Sequence, residues 1–368
     1  METKKFIDIL EIYNGKNQKS VENPDGKYPI YGSGGVMGRA DEYICPAETV
    51  VIGRKGSINN PIFVTEPFWN VDTAFGLVAR KEVLLPKYLF YFCRYFDFEK
   101  LNTTVTIPSL TKANLLKIEI PIPSIIEQKS IVTKLNLLTD MIQQRQEQLT
   151  KLDGLIKARF VEMFGDPISN PFGFKVKTLQ KMIDDGTIMY HLDGNHGSDY
   201  PRNEEFVECG VPYISANCIV HNDVNLKLAK HLTEERASKL RKGIAQNGDV
   251  LFAHNATVGP VAILYTDDEK VILGTSLTAY RCDKERMVPD YLKAYMQSEG
   301  FVRQYTKDMK QTTRNQVPIT AQRKFLFVIP PLSLQNQFAD FAAEVDKSKL
   351  FAELFAQSTC ILAENHSK

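Results

Sequence analysis

The chain repeats itself. Leu85-Pro86-Lys87-Tyr88-Leu89 opens an aromatic, helix-like stretch, and Val288-Pro289-Asp290-Tyr291-Leu292 opens a similar one 203 positions later. Ile107-Pro108-Ser109-Leu110-Thr111 is echoed by Val317-Pro318-Ile319-Thr320, and Ile120-Pro121-Ile122-Pro123-Ser124-Ile125-Ile126-Glu127-Gln128 by Ile329-Pro330-Pro331-Leu332-Ser333-Leu334-Gln335-Asn336-Gln337. Three landmarks in one order, at offsets of 203 to 210, make the chain a tandem of two homologous halves.

Each half ends in a long helix. Ser124 and Glu127 form a capping box, followed by a seam of Ile131, Leu135, Leu138, Ile142, Arg145, Leu149, Leu152, Ile156, Arg159 and Met163. Steps of four and three alternate along it, the spacing of a coiled-coil seam, until Gly165 and Pro167 end it. Some 40 residues of helix span about 60 Å. The second seam reads Leu334, Phe338, Phe341, Val345, Ser348, Ala352, Phe355, Thr359 and Leu362. Neither stripe is suited to water, so the spacing predicts that the two helices pack on each other, antiparallel if a pseudo-twofold relates the halves.

Ahead of each helix the pattern is mixed. Thr49-Val50-Val51-Ile52, Gly248 to Phe252 and Gly259 to Leu264 read as strands with turns, and Gly32 to Gly38 reads as a glycine loop. The expected fold class is mixed α/β (α+β) recognition-type domains, duplicated and separated by two long antiparallel coiled-coil helices. The boundaries are 1–124 for the first domain, 125–165 for the central helix, 166–332 for the second domain and 333–368 for the last helix.

Composition narrows the function. Lys and Arg number 45 against 44 Asp and Glu, so no global field points to nucleic acid or membrane, and any basic surface is local. Six cysteines lie scattered with no C-x-x-C pair, which fits reduced thiols better than a zinc site. No apolar signal core follows Met1-Glu2-Thr3-Lys4-Lys5 and no apolar run spans a bilayer, so a cytoplasmic location is expected. P-loop, H-E-x-x-H, G-x-S-x-G and Asn/Asp-Pro-Pro-aromatic signatures are missing. His191, Asp193 and His196 lie close enough to raise a metal reading, but their turn-like setting favours a structural or recognition loop. The run from Tyr88 to Phe98 could stack bases, yet its helical context reads as core.

Local charge is more telling. Between Arg303 and Lys324, six cations face the single acid Asp308, interleaved with Gln304, Gln311, Thr312, Thr313, Asn315 and Gln316. Lys100, Lys112 and Lys117 hold the corresponding place in the first half, and Arg54-Lys55-Gly56-Ser57-Ile58-Asn59-Asn60 combines cations with amides on a glycine turn. Arg and Lys suit guanine edges and phosphates, while Asn and Gln suit adenine.

The proline-flanked strand running into a capped helix (Ile118 to Gln128, Phe327 to Gln337) resembles the junction seen in specificity (S) subunits of Type I restriction–modification systems. Phe164-Gly165-Asp166-Pro167 and the strand–loop–glycine segments Val51 to Ser57 and Asp249 to Gly259 are also similar to that family. The resemblance covers essentially the whole chain. It implies a non-catalytic subunit with two target-recognition domains, each reading half of a split sequence in double-stranded DNA, on a helix pair that acts as a ruler. It further implies two methyltransferase subunits as partners, restriction subunits through them, and S-adenosylmethionine, ATP and Mg on those partners, with no cofactor or metal on this chain. Candidate DNA contacts are Lys16, Arg54, Lys55, Asn59, Asn60, Thr104 and Thr106 in the first domain. In the second they are Asn195, His196, His254, Asn255, Lys310, Thr312, Thr313, Arg314, Asn315 and Gln316. Gln143, Gln144 and Glu147 are candidates for methyltransferase contact. Two other readings stay open: a nuclease or methyltransferase with an unrecognised site around His191, and a coiled-coil scaffold that binds protein.

Overall fold

The computed structural model describes residues 2–101, 109–309 and 315–367, and the side chains of all of these except 198, 307–309 and 351–367. Two units divide the chain, Met1–Gln146 with Leu354–Lys368, and Glu147–Glu353.

In the first unit, a β-branched run that is buried throughout, Thr49–Gly53, becomes an inner strand of a four-stranded antiparallel sheet. Its order is Leu10–Asn14, Ala74–Ala79, Thr49–Gly53, Ile62–Val64. A three-stranded sheet joins Gly35–Ala40, Tyr28–Gly32 and Trp69–Asn70, the last pair parallel. Thr3–Lys5 pairs with Glu119–Pro121. The helix Pro86–Tyr95 has proline in its first turn, where a missing N–H costs nothing. It buries Leu89, Tyr91 and Cys93, and its aromatic run is core: Phe98 is fully buried, with Phe90, Phe92 and Phe96 packed around it.

The second unit repeats this plan. Its four-stranded sheet runs Ile188–Asp193, Leu277–Cys282, Val250–Asn255, Thr257–Ile263, every pairing antiparallel. A five-stranded sheet again contains one parallel pair, Val211–Ile214 with Val271–Leu273. Lys175–Thr178 pairs with Leu326–Ile329, and Pro289–Gln297 is the proline-led helix. The duplication extends to single side chains, in a register that corrects the sequence alignment: Gln128 matches Gln335 rather than Gln337, and Leu110 rather than Ile107 matches Val317. In the first unit Gln128 accepts the Leu85 N–H on Oε1 and donates Nε2 to the Pro123 carbonyl; in the second Gln335 accepts from Val288 and donates to Pro330. Tyr88 caps the Pro121 carbonyl as Tyr291 caps that of Val328.

The first long helix runs Ile125–Phe164. Its capping box is formed: Ser124 N–H donates to Glu127 Oε2 at 2.9 Å, and Glu127 N–H to Ser124 Oγ at 3.3 Å. Gly165, at φ +72°, turns the chain out of the helix in the left-handed region that a Cβ disfavours. Seam residues from Ile131 to Met163 are buried or half-buried. The second long helix runs Leu332–Ser367. Within the second unit the two helices pack antiparallel. Phe338 lies 5.7 Å from both Phe160 and Phe164, Arg159 lies over Phe341, and further along Lys349 bonds Asp153 at 2.8 Å. The seam residues Ala352, Phe355, Thr359 and Leu362 fall where side chains are outside the described residues.

Two expectations need correction. Gly32 to Gly38 is a tight hairpin rather than a loop: Tyr28–Gly32 and Gly35–Ala40 pair through a Ser33-Gly34 turn, with Gly35 at φ +115°. His191 and Asp193 belong to a strand, because Ile188–Asp193 pairs along its length with Leu277–Cys282.

Candidate nucleic-acid interface

Both units build one station at the same place. In the first, strand Thr49–Gly53 runs out into Arg54-Lys55-Gly56, and Gly56 turns at φ +76°. The Leu110 N–H donates to the Arg54 carbonyl at 2.9 Å, and Lys55 bridges to Ser109. In the second, strand Val250–Asn255 ends in Asn255-Ala256, and Ala256 takes the same turn at φ +64°, uncommon for a residue with a Cβ. The Val317 N–H donates to the His254 carbonyl at 2.8 Å, Asn255 bridges to Gln316, and the Ala256 N–H donates to the Asn315 carbonyl at 3.0 Å. Arg54 therefore corresponds to His254, Lys55 to Asn255, and Ser109 to Gln316. Bridged residues stand opposite each other on one face, with Cβ atoms about 4.5–5.5 Å apart.

The candidate residues separate by what their polar heads already do. Lys16, Lys55, Asn60 and Asn315 are exposed, Asn255 and Gln316 are half-buried, and these side chains have no hydrogen-bond or ion-pair partner among the described residues. Arg54 is exposed, its guanidinium 5.8 Å from the Phe75 ring. The head of Asn59 is engaged: its Oδ1 accepts the Phe98 N–H at 2.8 Å. Asn195 is buried and donates to the Lys242 carbonyl, and His196 is exposed with Nε2 2.8 Å from Asp193. His254 is 1 % exposed. Thr104, Thr106, Lys310, Thr312, Thr313 and Arg314 lie outside the described residues. Gln143, Gln144 and Glu147 are exposed on the first long helix.

Sequence reasoning missed a buried polar network beneath the second station. Gln322 Oε1 accepts from Tyr280 at 2.6 Å and from His191 Nε2 at 3.2 Å. Its Nε2 donates to Thr278 Oγ1 at 3.1 Å and to the Val317 carbonyl at 3.0 Å, and Thr278 Oγ1 lies 2.9 Å from His254 Nδ1. The Gln322 bond assigns His191 as the neutral Nε2–H tautomer, because an amide oxygen only accepts. At the matching positions the first unit carries Leu115, Leu77, Ile12 and Phe75, all buried. Aligning the halves against each other is the signal that would have revealed the network.

Burial holds the His191 pKa down at about 4, against a weaker upward pull from the Gln322 bond. Burial likewise holds His254 at about 4, with Asp193 pulling up and His196 pushing down. Since each folded-state value lies below the ordinary 6.5, the unfolded chain binds more protons between pH 6.5 and 4, and stability falls as pH drops through that window. The expected loss at pH 4 is on the order of 3 kcal/mol per histidine. Residues 1–146 contain no histidine. The single tryptophan, Trp69, is buried in the first unit, so its fluorescence should miss the histidine-linked transition that circular dichroism records for the second.

Among the described residues, no group of three or more His, Cys, Asp or Glu is placed to hold a metal ion, and no helix is long and apolar enough to cross a membrane.

Residues 1–151 match the family model described as the Type I restriction modification DNA specificity domain. Over 358 residues the chain is 21 % identical to the Type I restriction enzyme MjaVIII specificity subunit of Methanocaldococcus jannaschii, covering 92 % of this chain and 84 % of that protein. The chain is similar in sequence to Type I restriction–modification specificity subunits, over residues 1–151 to the family model and over most of its length to the archaeal relative. A putative specificity subunit of Haemophilus influenzae is 28 % identical over 145 residues, covering 38 % of this chain and 37 % of its own length. The crystal structure of the S subunit from M. genitalium shares the fold at a TM-score of 0.60 and 15 % identity, covering 99 % of this chain and 94 % of that one. A second structure, from work on complex assembly and conformational transition of the type I R-M system, aligns at 0.52 and 15 % identity, covering 100 % and 94 %. The duplicated α/β architecture with long helices is thus that of solved specificity subunits.

Proposed function

We propose that this chain is the DNA sequence-specificity subunit of a Type I restriction–modification complex, each domain reading one half of a bipartite target. The observation that carries this reading is the duplicated station: the same strand end, turn and bridge occur twice, presenting Lys55 in one copy and Asn255 and Gln316 in the other, whose polar heads have no partner among the described residues. A head that makes no bond inside the protein is available for base edges and phosphates. Two copies on one chain suit two half-sites, as dimeric readers suit theirs.

The chain reads and its partners react. Two equivalent long helices offer two equivalent docking elements, which suits two methyltransferase subunits, with Gln143, Gln144 and Glu147 on the face they would meet. Restriction subunits join through them, in the cytoplasm. S-adenosylmethionine, ATP and Mg belong to those partners, and this chain binds none of them. The net charge of +1 leaves phosphate neutralisation largely to the partners, so the lone chain binds DNA weakly.

The test is to co-express the full chain with an adjacent Asn-Pro-Pro-aromatic methyltransferase and select from randomised duplex DNA. Recovery of two fixed half-sites at constant spacing, with methylation by the complex and none by the lone chain, supports the reading. Turnover by the lone chain would restore the enzyme reading, and a complex without sequence preference would restore the scaffold.

A further inference from the structure

The two stations are alike in backbone and unlike in chemistry. At the bridge the first domain sets Lys55 opposite Ser109, with exposed Arg54 beside them; the second sets Asn255 opposite Gln316, and its counterpart of Arg54 is the buried His254. We infer that the domains read different bases: the second reads adenine through the paired amides of Asn255 and Gln316, and the first reads guanine through Lys55 and Arg54. This rests on the DNA-reading function proposed above and deepens it.

Base-edge chemistry supports the assignment. In the major groove adenine offers the N7 acceptor beside the N6 amino donor, and a carboxamide matches both with its NH2 and its C=O. Guanine offers two acceptors, O6 and N7, which a cation satisfies and a carboxamide satisfies only in part. Asn255 and Gln316 are half-buried, so their stems are held while their amides have no partner among the described residues. Strand pairing places the two amides on one face. The backbone is fixed from below: the His254 carbonyl takes the Val317 N–H, Gln322 takes the Val317 carbonyl, and the Ala256 N–H is tied to Asn315. Gln322 is thereby a positioning residue for the reading pair.

The test uses the full complex on its selected duplex, with fluorescence anisotropy as the readout. Adenines of one half-site are replaced singly by 7-deazaadenine, and guanines of the other by 7-deazaguanine. At least one adenine in the half-site read by the second domain should show about a tenfold to hundredfold weakening, the range for losing a bidentate contact. Asn255→Ala should abolish that penalty, whereas Arg54→Ala should leave it intact and remove the 7-deazaguanine penalty in the other half. The double variant Asn255→Lys, Gln316→Ser, which copies the first domain's bridge, should move the preference from adenine toward guanine. Unchanged discrimination in the other half-site shows that these surface variants are folded. A selected half-site indifferent to every 7-deazaadenine, or an Asn255→Ala variant that keeps the full penalty, overturns the base assignment alone. A wild-type complex that selects no sequence overturns the DNA-reading function with it.

Discussion

Phe338→Ala lowers the unfolding free energy of the second unit by about 3–5 kcal/mol, the cost of deleting a fully enclosed aromatic ring from a packed core. Phe338 is completely buried, 5.7 Å from both Phe160 and Phe164, in a cluster that continues through Tyr291. The void cannot collapse cheaply, because its walls belong to two long helices and to the proline-led helix Pro289–Gln297. Trp69 makes the effect separable: its ring is buried in the first unit and its Nε1–H donates to the Lys16 carbonyl. In urea, circular dichroism should show an early transition for the second unit while the Trp69 fluorescence midpoint stays near wild type. A coincident shift of both signals would mean that the units unfold as one. Phe338→Leu should fall between the two.

Arg54→Ala combined with Lys55→Ala should weaken the complex's binding to its full target by about 30-fold to 20,000-fold, two contacts at about 1–3 kcal/mol each. Both side chains are exposed, and neither has an ion-pair partner among the described residues, so removing them leaves no buried charge behind. The backbone of the station stays, because its bonds to Thr73, Leu110 and Ser109 are made by main-chain atoms. If one of the two lysine or arginine heads meets a phosphate, the slope of log K against log salt should also fall by about 1. Binding unchanged by the double variant would remove this station from the interface.

The architecture was legible because its signals are redundant. Proline-led landmarks fixed the duplication, and an alternation of four and three carried through Leu135, Leu149 and Ile156 fixed the first long helix, with Ser124 and Glu127 marking its start. Short glycine-rich segments were harder. Gly32 to Gly38 shows no apolar alternation, yet its backbone pairs, since a hairpin turn needs glycine more than it needs side chains. His191 appeared to belong to a turn because Gly194 and Gly197 follow it, and only pairing with Tyr280 shows it to be strand.

The proposed reading surface was half legible. Arg54, Lys55, Asn255 and Gln316 could be picked out as residue types suited to bases, but sequence gives no account of which polar heads are already spent. Asn59, Asn195 and His254 carry the same chemistry and turn it inward, onto Phe98, Lys242 and Thr278. The Gln322 network escaped notice because each member is an ordinary polar residue alone. Its meaning comes from contrast with Leu115, Leu77, Ile12 and Phe75 at the same places in the first unit.

Sequencing the duplexes recovered by three versions of the complex puts the division of reading between the domains to the most direct trial: wild type, Arg54→Ala with Lys55→Ala, and Asn255→Ala with Gln316→Ala. The account predicts that the first pair blurs one half-site only, the second pair blurs the other only, and the spacing between halves stays fixed in all three. Loss of the same bases by both pairs, or one uninterrupted recognition sequence, would contradict it.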